Sequence, residues 1–589
     1  MGEIPFNFLN YLEGKIGEIA RECCAFGSDF QPTVRPADAQ FGDFQANGIL
    51  SYGKRRGTNP RQLAGQLLAA LEKDSDFSAR ARAEVSGGGF LNISLRAAAL
   101  GEWLAAYGGA EEFRRAAAAA TDLAGRRIVL DYSCPNSAKQ MHVGHLRSLA
   151  IGDCLYRLLS FFGAKAIRDN HIGDWGTQFG ILLRQLRVEG VDLASIPAGE
   201  GLDLLESLYR KGNGEVERSP EALAEARREL VALQNGDPGR LASWKKINEL
   251  SYESFQKIYD LAGVEFDLVL GESFYRNSVG RVYGELLQCG IAEENGGALA
   301  VFHREHGRFR EQPFLVRKFD GASNYAATDL ATVLYRVETL GAEEILYVTD
   351  GRQRDHFEQL FLTVKKWFSA KGYPLPTLRH VWFGTVCGVD GKAIKTRSGE
   401  PVRLQELFDS AIAQAAEILA EKNPDLPPDE RKAVARAVGV GALKYGDLSQ
   451  NRTSDYVFSL GKMLSFEGNT ASYLQYALAR IGAIRRRAEG ESVRAATCLE
   501  PATAEERAFA RRLVLFPIAL LATLEDLRPH LLCGYLYELA CEFSSFYDSC
   551  RIFGEAEEVL GRRLGLCEVA ANFLAMGLQL LGIVPLHRM

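Results

Sequence analysis

Along this chain the hydrophobic spacing changes several times. Ile128-Val129-Leu130 is a short apolar run with β-branched residues, the pattern of a buried strand. Ser133, Pro135 and Asn136 break it and predict a turn, and from Ala138 onward the residues favour a helix. The unit reads strand, sharp loop, helix. In an open α/β sheet, ligands bind in the crevice at the carboxyl end of such a strand. Further strands are predicted at Ala166–Arg168, Leu315–Phe319, Glu344–Val348 and His380–Val386, with a helix over Tyr325–Arg336. Between about residues 181 and 270 the period becomes helical. Stretches such as Glu221–Gln234 and Leu241–Leu261 carry alternating charges, which predicts a helical insertion with a solvated surface. The α/β pattern is expected to return after Phe274.

The flanks differ from this centre. Phe6–Cys24 has helical spacing, and Phe90, Leu91, Ile93 and Leu95 alternate as in a strand, so a small α/β unit is expected at the start. Ala116–Ala120 reads as a helical link. From about Leu404 the chain is almost wholly helical, with a break at Pro424, Pro427 and Pro428. The expected fold is therefore multidomain α/β: a unit at 1–112, a parallel-sheet domain at 126–405 carrying the insertion (about 181–270), a helical connection at 406–465 and an all-α bundle at 466–589.

Composition narrows the class without naming a function. At 589 residues several cores are expected, and 47% hydrophobic with 24% charged residues is ordinary for a globular protein. A net charge of −6 makes no global case for nucleic acid, so any such binding must use local basic patches. Arg55, Arg56 and Arg61 could touch a phosphate backbone or form a solvated surface. Arg485-Arg486-Arg487 closes a helix of the C-terminal part. Tyr535, Tyr537, Phe543, Phe546 and Tyr547 could stack on bases or fill a core. The 11 cysteines include no C-x-x-C pair, and Cys23-Cys24 are adjacent; they read as reduced thiols of a cytoplasmic protein. No signal peptide is read in MGEIPFNFLNYLEGK, and the longest apolar run, Leu513–Ala522, holds Pro517 and is too short to span a bilayer.

The chemistry concentrates after the first central strand. His142 and His145 stand three residues apart, which on a helix puts both imidazoles on one face. Gly144 between them lets a flat ring approach the backbone. A helix N-terminus offers free N–H groups to a phosphate chain, and Lys139 adds a full charge. A metal reading is poor, since no third ligand is placed by local spacing. A second basic, glycine-marked loop holds Gly388, Gly391, Lys392, Lys395, Arg397 and Gly399, either a phosphate clamp or an exposed hairpin.

The stretch Pro135-Asn136-Ser137-Ala138-Lys139-Gln140-Met141-His142-Val143-Gly144-His145-Leu146-Arg147-Ser148 closely resembles the HIGH signature of arginyl-tRNA synthetases, a class I aminoacyl-tRNA synthetase family. Gly173-Asp174-Trp175-Gly176-Thr177-Gln178-Phe179-Gly180, Tyr325-Ala326-Ala327-Thr328-Asp329-Leu330, Gln353 with His356, and Tyr473-Leu474-Gln475-Tyr476-Ala477-Leu478-Ala479-Arg480 match in the same order. Five collinear motifs are far more specific than any one of them.

The resemblance implies a Rossmann-type catalytic domain, an N-terminal tRNA-contacting domain and a helical anticodon-binding domain. It implies that L-arginine attacks the α-phosphate of Mg2+-ATP to give arginyl-adenylate and pyrophosphate, after which the cognate tRNA takes the arginyl group and AMP leaves. Family members generally need tRNA bound before the first step. No tightly bound cofactor and no structural metal are expected, and a monomer without membrane association is implied. By resemblance His142, Gly144, His145 and Lys139 hold ATP, with His142, His145, Lys139 and Lys395 as the catalytic set. Asp131, Asn136, Tyr325, Asp329 and Gln353 match the arginine-binding positions, with Asp329 gripping the guanidinium. A fixed planar cation calls for carboxylates in a fork. The usual KMSK loop is replaced here by Gly391-Lys392-Ala393-Ile394-Lys395-Thr396-Arg397-Ser398-Gly399, so Lys392, Lys395, Arg397 and Lys139 all stand as candidates for the cation on the pyrophosphate. The rival readings are another class I synthetase and a synthetase-like tRNA-binding protein without catalysis.

Overall fold

The computed structural model describes residues 4–22, 26–196, 201–319, 325–388, 390–394 and 401–589. They fall into two units, one of residues 123–464 and one of 1–122 with 465–589. In the central unit five strands, β1 (Arg127–Asp131), β2 (Lys165–Asn170), β3 (Leu268–Val269), β4 (Glu344–Tyr347) and β5 (Thr377–His380), pair in parallel in the order β5-β4-β1-β2-β3. Ile128, Val129 and Leu130 are fully buried. A parallel strand covered by helices on both faces needs such an unbroken apolar run.

The chain builds outward from β1 to β2 and β3, then returns to add β4 and β5 on the other side. That reversal makes a topological switch point between β1 and β4, open at the carboxyl ends. The register levels those ends: Asp131 lies opposite Asp169 on one side and Tyr347 on the other, and Tyr347 opposite His380.

Helices fill the connections. α1 (Val143–Phe161) follows β1; α2 (Thr177–Glu189), α3 (Gly201–Arg218), α4 (Pro220–Gln234) and α5 (Pro238–Ala262) form the insertion; α6 (Tyr325–Glu338) precedes β4, and α7 (Arg354–Lys371) links β4 to β5. α4 and α5 begin on Ser219 and Asp237, whose side chains accept N–H bonds beside a first-turn proline. Phe179, Leu182, Leu205, Leu233 and Ile247 give the insertion its own core. Its charges are paired rather than merely solvated: Arg184 meets Glu215 at 2.7 Å and Glu225 at 2.9 Å.

Four expectations are corrected. The helix after β1 starts at Val143 and not at Ala138, because Ala138 takes a positive φ of 64°. The sheet resumes at Leu268, before Phe274, since β3 pairs with the end of β2. The strand near Leu315 spans Phe314–Arg317 and belongs to a separate antiparallel sheet with Ala292–Asn295 and Ala298–Val301. The stretch His380–Val386 is not one strand: β5 stops at His380, and Val386–Cys387 pairs with Tyr456–Val457. Between them the backbone turns aside to receive the Gly351 N–H on Phe383 O at 2.9 Å and to give the Gly384 N–H to Arg452 O at 2.9 Å.

In the second unit, a four-stranded antiparallel sheet (Val34–Pro36, Phe44–Ala46, Phe90–Leu95, Ala81–Ser86) packs with the C-terminal helices. Asp43 takes Arg507 at 2.7 Å and Arg511 at 3.1 Å, and Phe113 stacks on Phe516. Tyr535, Phe543 and Phe546 are buried core residues, whereas Arg480 lies over the Tyr547 ring at 4.1 Å. No helix among the described residues is long and apolar enough to cross a membrane.

Candidate active site

A cavity of about 710 Å3 opens at the switch point. Such a volume suits a small-molecule site. Its floor is the reversal after β1. Ser133 and Cys134 take φ of 72° and 47°, conformations that cost about 1–3 kcal/mol each in a non-glycine residue. Side chains from distant elements hold them there. Ser148 Oγ accepts the Ser133 N–H at 2.9 Å and donates to Val348 O at 2.7 Å. Asn170 Oδ1 accepts the Cys134 N–H at 3.1 Å, and Ser251 Oγ accepts the Ala138 N–H at 2.9 Å.

The two histidines form the cap of α1 rather than a face of it. His142 is the cap residue: its Nδ1 accepts the Gly144 N–H at 3.1 Å, while His145 Nδ1 accepts the His142 N–H at 3.0 Å. This is a capping box made from imidazoles. It explains Gly144 more directly than an approaching ligand does, since a Cβ there would lie 2.9 Å from His142 Cε1. The cap also sets the tautomer. With both Nδ1 atoms accepting, each neutral ring carries its proton on Nε2. Burial, with the His142 ring beside it, pushes His145 down to about 3. Burial first, then the charges of Arg352 and Lys139, lowers His142. Both are neutral donors at neutral pH.

Acidic groups line the same cavity. Asp329, on the second turn of α6, accepts a 2.6 Å bond from His356 Nε2, and His171 Nε2 lies 3.9 Å from its other oxygen. Glu272 follows β3; burial is the main cause that pushes its carboxyl up to about 7, with Asp329 and Asp174 adding to it against His171. Asp174 is itself fixed by Ser273, through the N–H at 2.8 Å and Oγ at 2.6 Å.

Of the residues singled out in the sequence, Asp131, Asn136, His142, Gly144, His145, Tyr325, Asp329 and Gln353 all line this cavity. Asn136 is seated by Gly173, where a Cβ would come within 2.2 Å of its Oδ1. Asp131 reaches the cavity already compensated: Arg336 Nη2 lies 2.6 Å from one oxygen and the Cys134 thiol 2.8 Å from the other. The same guanidinium holds Asp169 at 2.8 Å and is itself fully buried. Lys139 is not among the lining residues; its Nζ lies 4.9 Å from the Tyr209 ring centre on α3. Lys392 is exposed, its N–H on Asp390 Oδ1 at 3.1 Å, and it does not line the cavity either. Lys395 and Arg397 lie outside the described residues.

The sequence reading missed Glu272 and Arg352. The signal for Glu272 was faint: a polar Gly-Glu-Ser after Leu268-Val269-Leu270, hidden by placing the insertion's end too late. Arg352 lines the cavity with its guanidinium on Asp350 at 2.8 and 2.9 Å. Among the described residues no group of three or more His, Cys, Asp or Glu is arranged to hold a metal ion.

Known families match all three parts of the chain. Residues 115–460 match the model of "tRNA synthetases class I (R), catalytic domain", 474–589 that of the "DALR anticodon binding domain" and 10–95 that of the "Arginyl tRNA synthetase N terminal domain". The chain is 42% identical over 565 residues to the arginine–tRNA ligase of Edwardsiella ictaluri, covering 94% of this chain and 95% of that one. It is 42% identical over 581 residues to that of Frankia casuarinae, covering 96% and 95%. Among solved structures, an arginyl-tRNA synthetase of Plasmodium falciparum superposes with a TM-score of 0.81 at 25% identity, over 99% of both chains. That of Thermus thermophilus gives 0.79 at 25%, over 99% and 100%. With a catalytic-domain match over more than half its length and relatives above 40% identity along nearly all of it, this chain belongs to the arginyl-tRNA synthetase family.

Proposed function

We propose that the cavity at the switch point is where arginine is activated by ATP. The chain is an arginine–tRNA ligase, attaching arginine to tRNA. Neither a non-catalytic tRNA-binding protein nor another class I synthetase is favoured.

In our reading an arginine carboxylate oxygen attacks the α-phosphorus, the bond to the bridging oxygen breaks, and pyrophosphate leaves with Mg2+ as part of the ATP complex. A ribose hydroxyl of the tRNA then attacks the arginyl carbonyl, losing its proton as AMP departs. Phosphoryl attack needs positioned donors more than a covalent group. His142 and His145 supply two Nε2–H donors at a helix N-terminus, uncharged and therefore needing no deprotonated partner. Asp329 and Glu272 supply the carboxylates for the guanidinium, Tyr325 lies beside them, and Asn136 and Gln353 orient the α-amino and carboxylate end. Asp131, already bonded to Arg336, acts by shaping this wall. For the cation on the leaving pyrophosphate we retain Lys139 with Lys395, and add Arg352 as a cation lining the cavity. We take the protein to act as a cytoplasmic monomer.

The observation that carries the reading is one cavity holding both the imidazole cap and the Asp329–Glu272 pair. Its test is ATP–pyrophosphate exchange with each amino acid, with and without tRNA. Arginine-dependent exchange in the presence of cognate tRNA is expected; its absence would falsify the proposal.

A further inference from the structure

The turn carrying His142 is not held by its own helix alone. Residues Val402–Leu404 run antiparallel to it: the Val143 N–H donates to Val402 O at 2.9 Å, the Leu404 N–H to Met141 O at 2.9 Å, and His142 faces Arg403 across this short ladder. The Arg403 side chain then leaves the ladder for the helical insertion. It meets Asp203 of α3 at 2.7 Å, Glu206 at 3.4 Å and, on its own element, Glu406 at 4.0 Å. Asp203 also accepts from Gln140 Nε2 at 2.9 Å, on the approach to the same histidine turn. Arg403, Asp203, Glu406 and Gln140 line a second cleft of about 520 Å3, with no residue in common with the first.

From this geometry we infer that Arg403, seated on Asp203 and Glu206 of the insertion, is a positioning residue for the His142–His145 cap in the adenylation step. The inference rests on assigning those two histidines to ATP. The pair is partly exposed, with side-chain exposures of 32% for Arg403 and 56% for Asp203. Such a pair adds little to stability. Its effect is on place: it fixes the strand that fixes the cap, and a displacement of about 1 Å in a reacting geometry can lower a rate on the order of a hundredfold. The insertion thereby helps build the ATP side of the site without touching ATP.

The test compares Arg403→Gln, Arg403→Lys, the double variant Asp203→Asn/Glu206→Gln and His142→Ala. Arginine-dependent exchange is measured with tRNA present, together with thermal melting. Arg403→Gln and the double variant are each expected to lower kcat about tenfold or more, with the arginine KM within about twofold and melting unchanged. Arg403→Lys should recover a large part of the loss. An unchanged kcat in the double variant overturns the inference, as does a loss in Arg403→Gln that tracks melting and is not recovered by lysine. Should Arg403→Gln fail to fold, the double variant alone decides. If His142→Ala keeps full kcat, the assignment of the histidines to ATP fails; a large loss there with none in the double variant removes only the role of Arg403.

Discussion

Arginine binding by this enzyme should depend on pH through Glu272. Burial, reinforced by Asp329 and Asp174, pushes that carboxyl up to about 7. The sign follows directly. A group whose folded value lies above its unfolded value binds more protons when folded, so it favours the fold below the window and opposes it as pH rises from about 4.5 to about 7. Keeping the carboxylate charged above that window costs on the order of 3 kcal/mol. A bound guanidinium offsets this cost, because it supplies the opposite charge where water is excluded. At pH 6 only about one Glu272 in ten is ionised, so the arginine KM should be about tenfold higher there than at pH 8. Arginine should also raise the melting temperature more at pH 8 than at pH 6. Glu272→Gln should flatten the pH dependence. It should raise KM by about 10- to 150-fold at pH 8, the loss of one charged hydrogen bond of about 1.5–3 kcal/mol. The assay is initial-rate exchange at saturating ATP and tRNA from pH 6 to 8.5, with melting beside it. A wild-type KM that does not change with pH, or an identical slope in the Gln variant, refutes the reasoning.

Asp329→Asn should raise the arginine KM about a hundredfold while filter binding of tRNA stays near normal; an equal loss of tRNA affinity makes Asp329 structural. Arg336→Met leaves Asp131 and Asp169 as buried, uncompensated carboxylates and should lower unfolding free energy by about 3–5 kcal/mol in a urea titration; a change below about 1 kcal/mol contradicts that account. Lys139→Ala should slow adenylate formation in single-turnover measurements more than Lys392→Ala, and the opposite order moves the phosphate role to the later loop.

Much of this site was legible because it is local. A β-branched run bounded by a turn specifies β1 wherever it lies, and the two histidines mark the start of the next helix, although their role as its cap and the ladder with Val402–Leu404 that supports the turn are seen only in the fold. The order of the motifs likewise exposed the family, and the parallel-sheet domain with its insertion followed from the change of period. Where the reading slipped, the cause was non-local. Ala138 is helical by propensity, yet Ser251, 113 residues away, holds its N–H in a turn. The neighbour of Lys139 is set non-locally too: α3 places the Tyr209 ring centre 4.9 Å from its Nζ.

The sequence by itself determined which groups are available: the strand, the two histidines at the start of a helix, and the acids and cations strung along the chain. Only the tertiary structure decided which of those acids are already satisfied. Asp131 stands in the sequence as a candidate arginine-binding residue, and the level register of β1 and β2 sets it beside Asp169, where Arg336 from α6 bridges the two. Glu272 belongs to none of the motifs read in the sequence; β3 brings it to the cavity that Asp329 also lines, where burial raises its carboxyl. Charge is a property of the residue, whereas desolvation and pairing depend on neighbours far along the chain, and those follow from sheet register and helix packing.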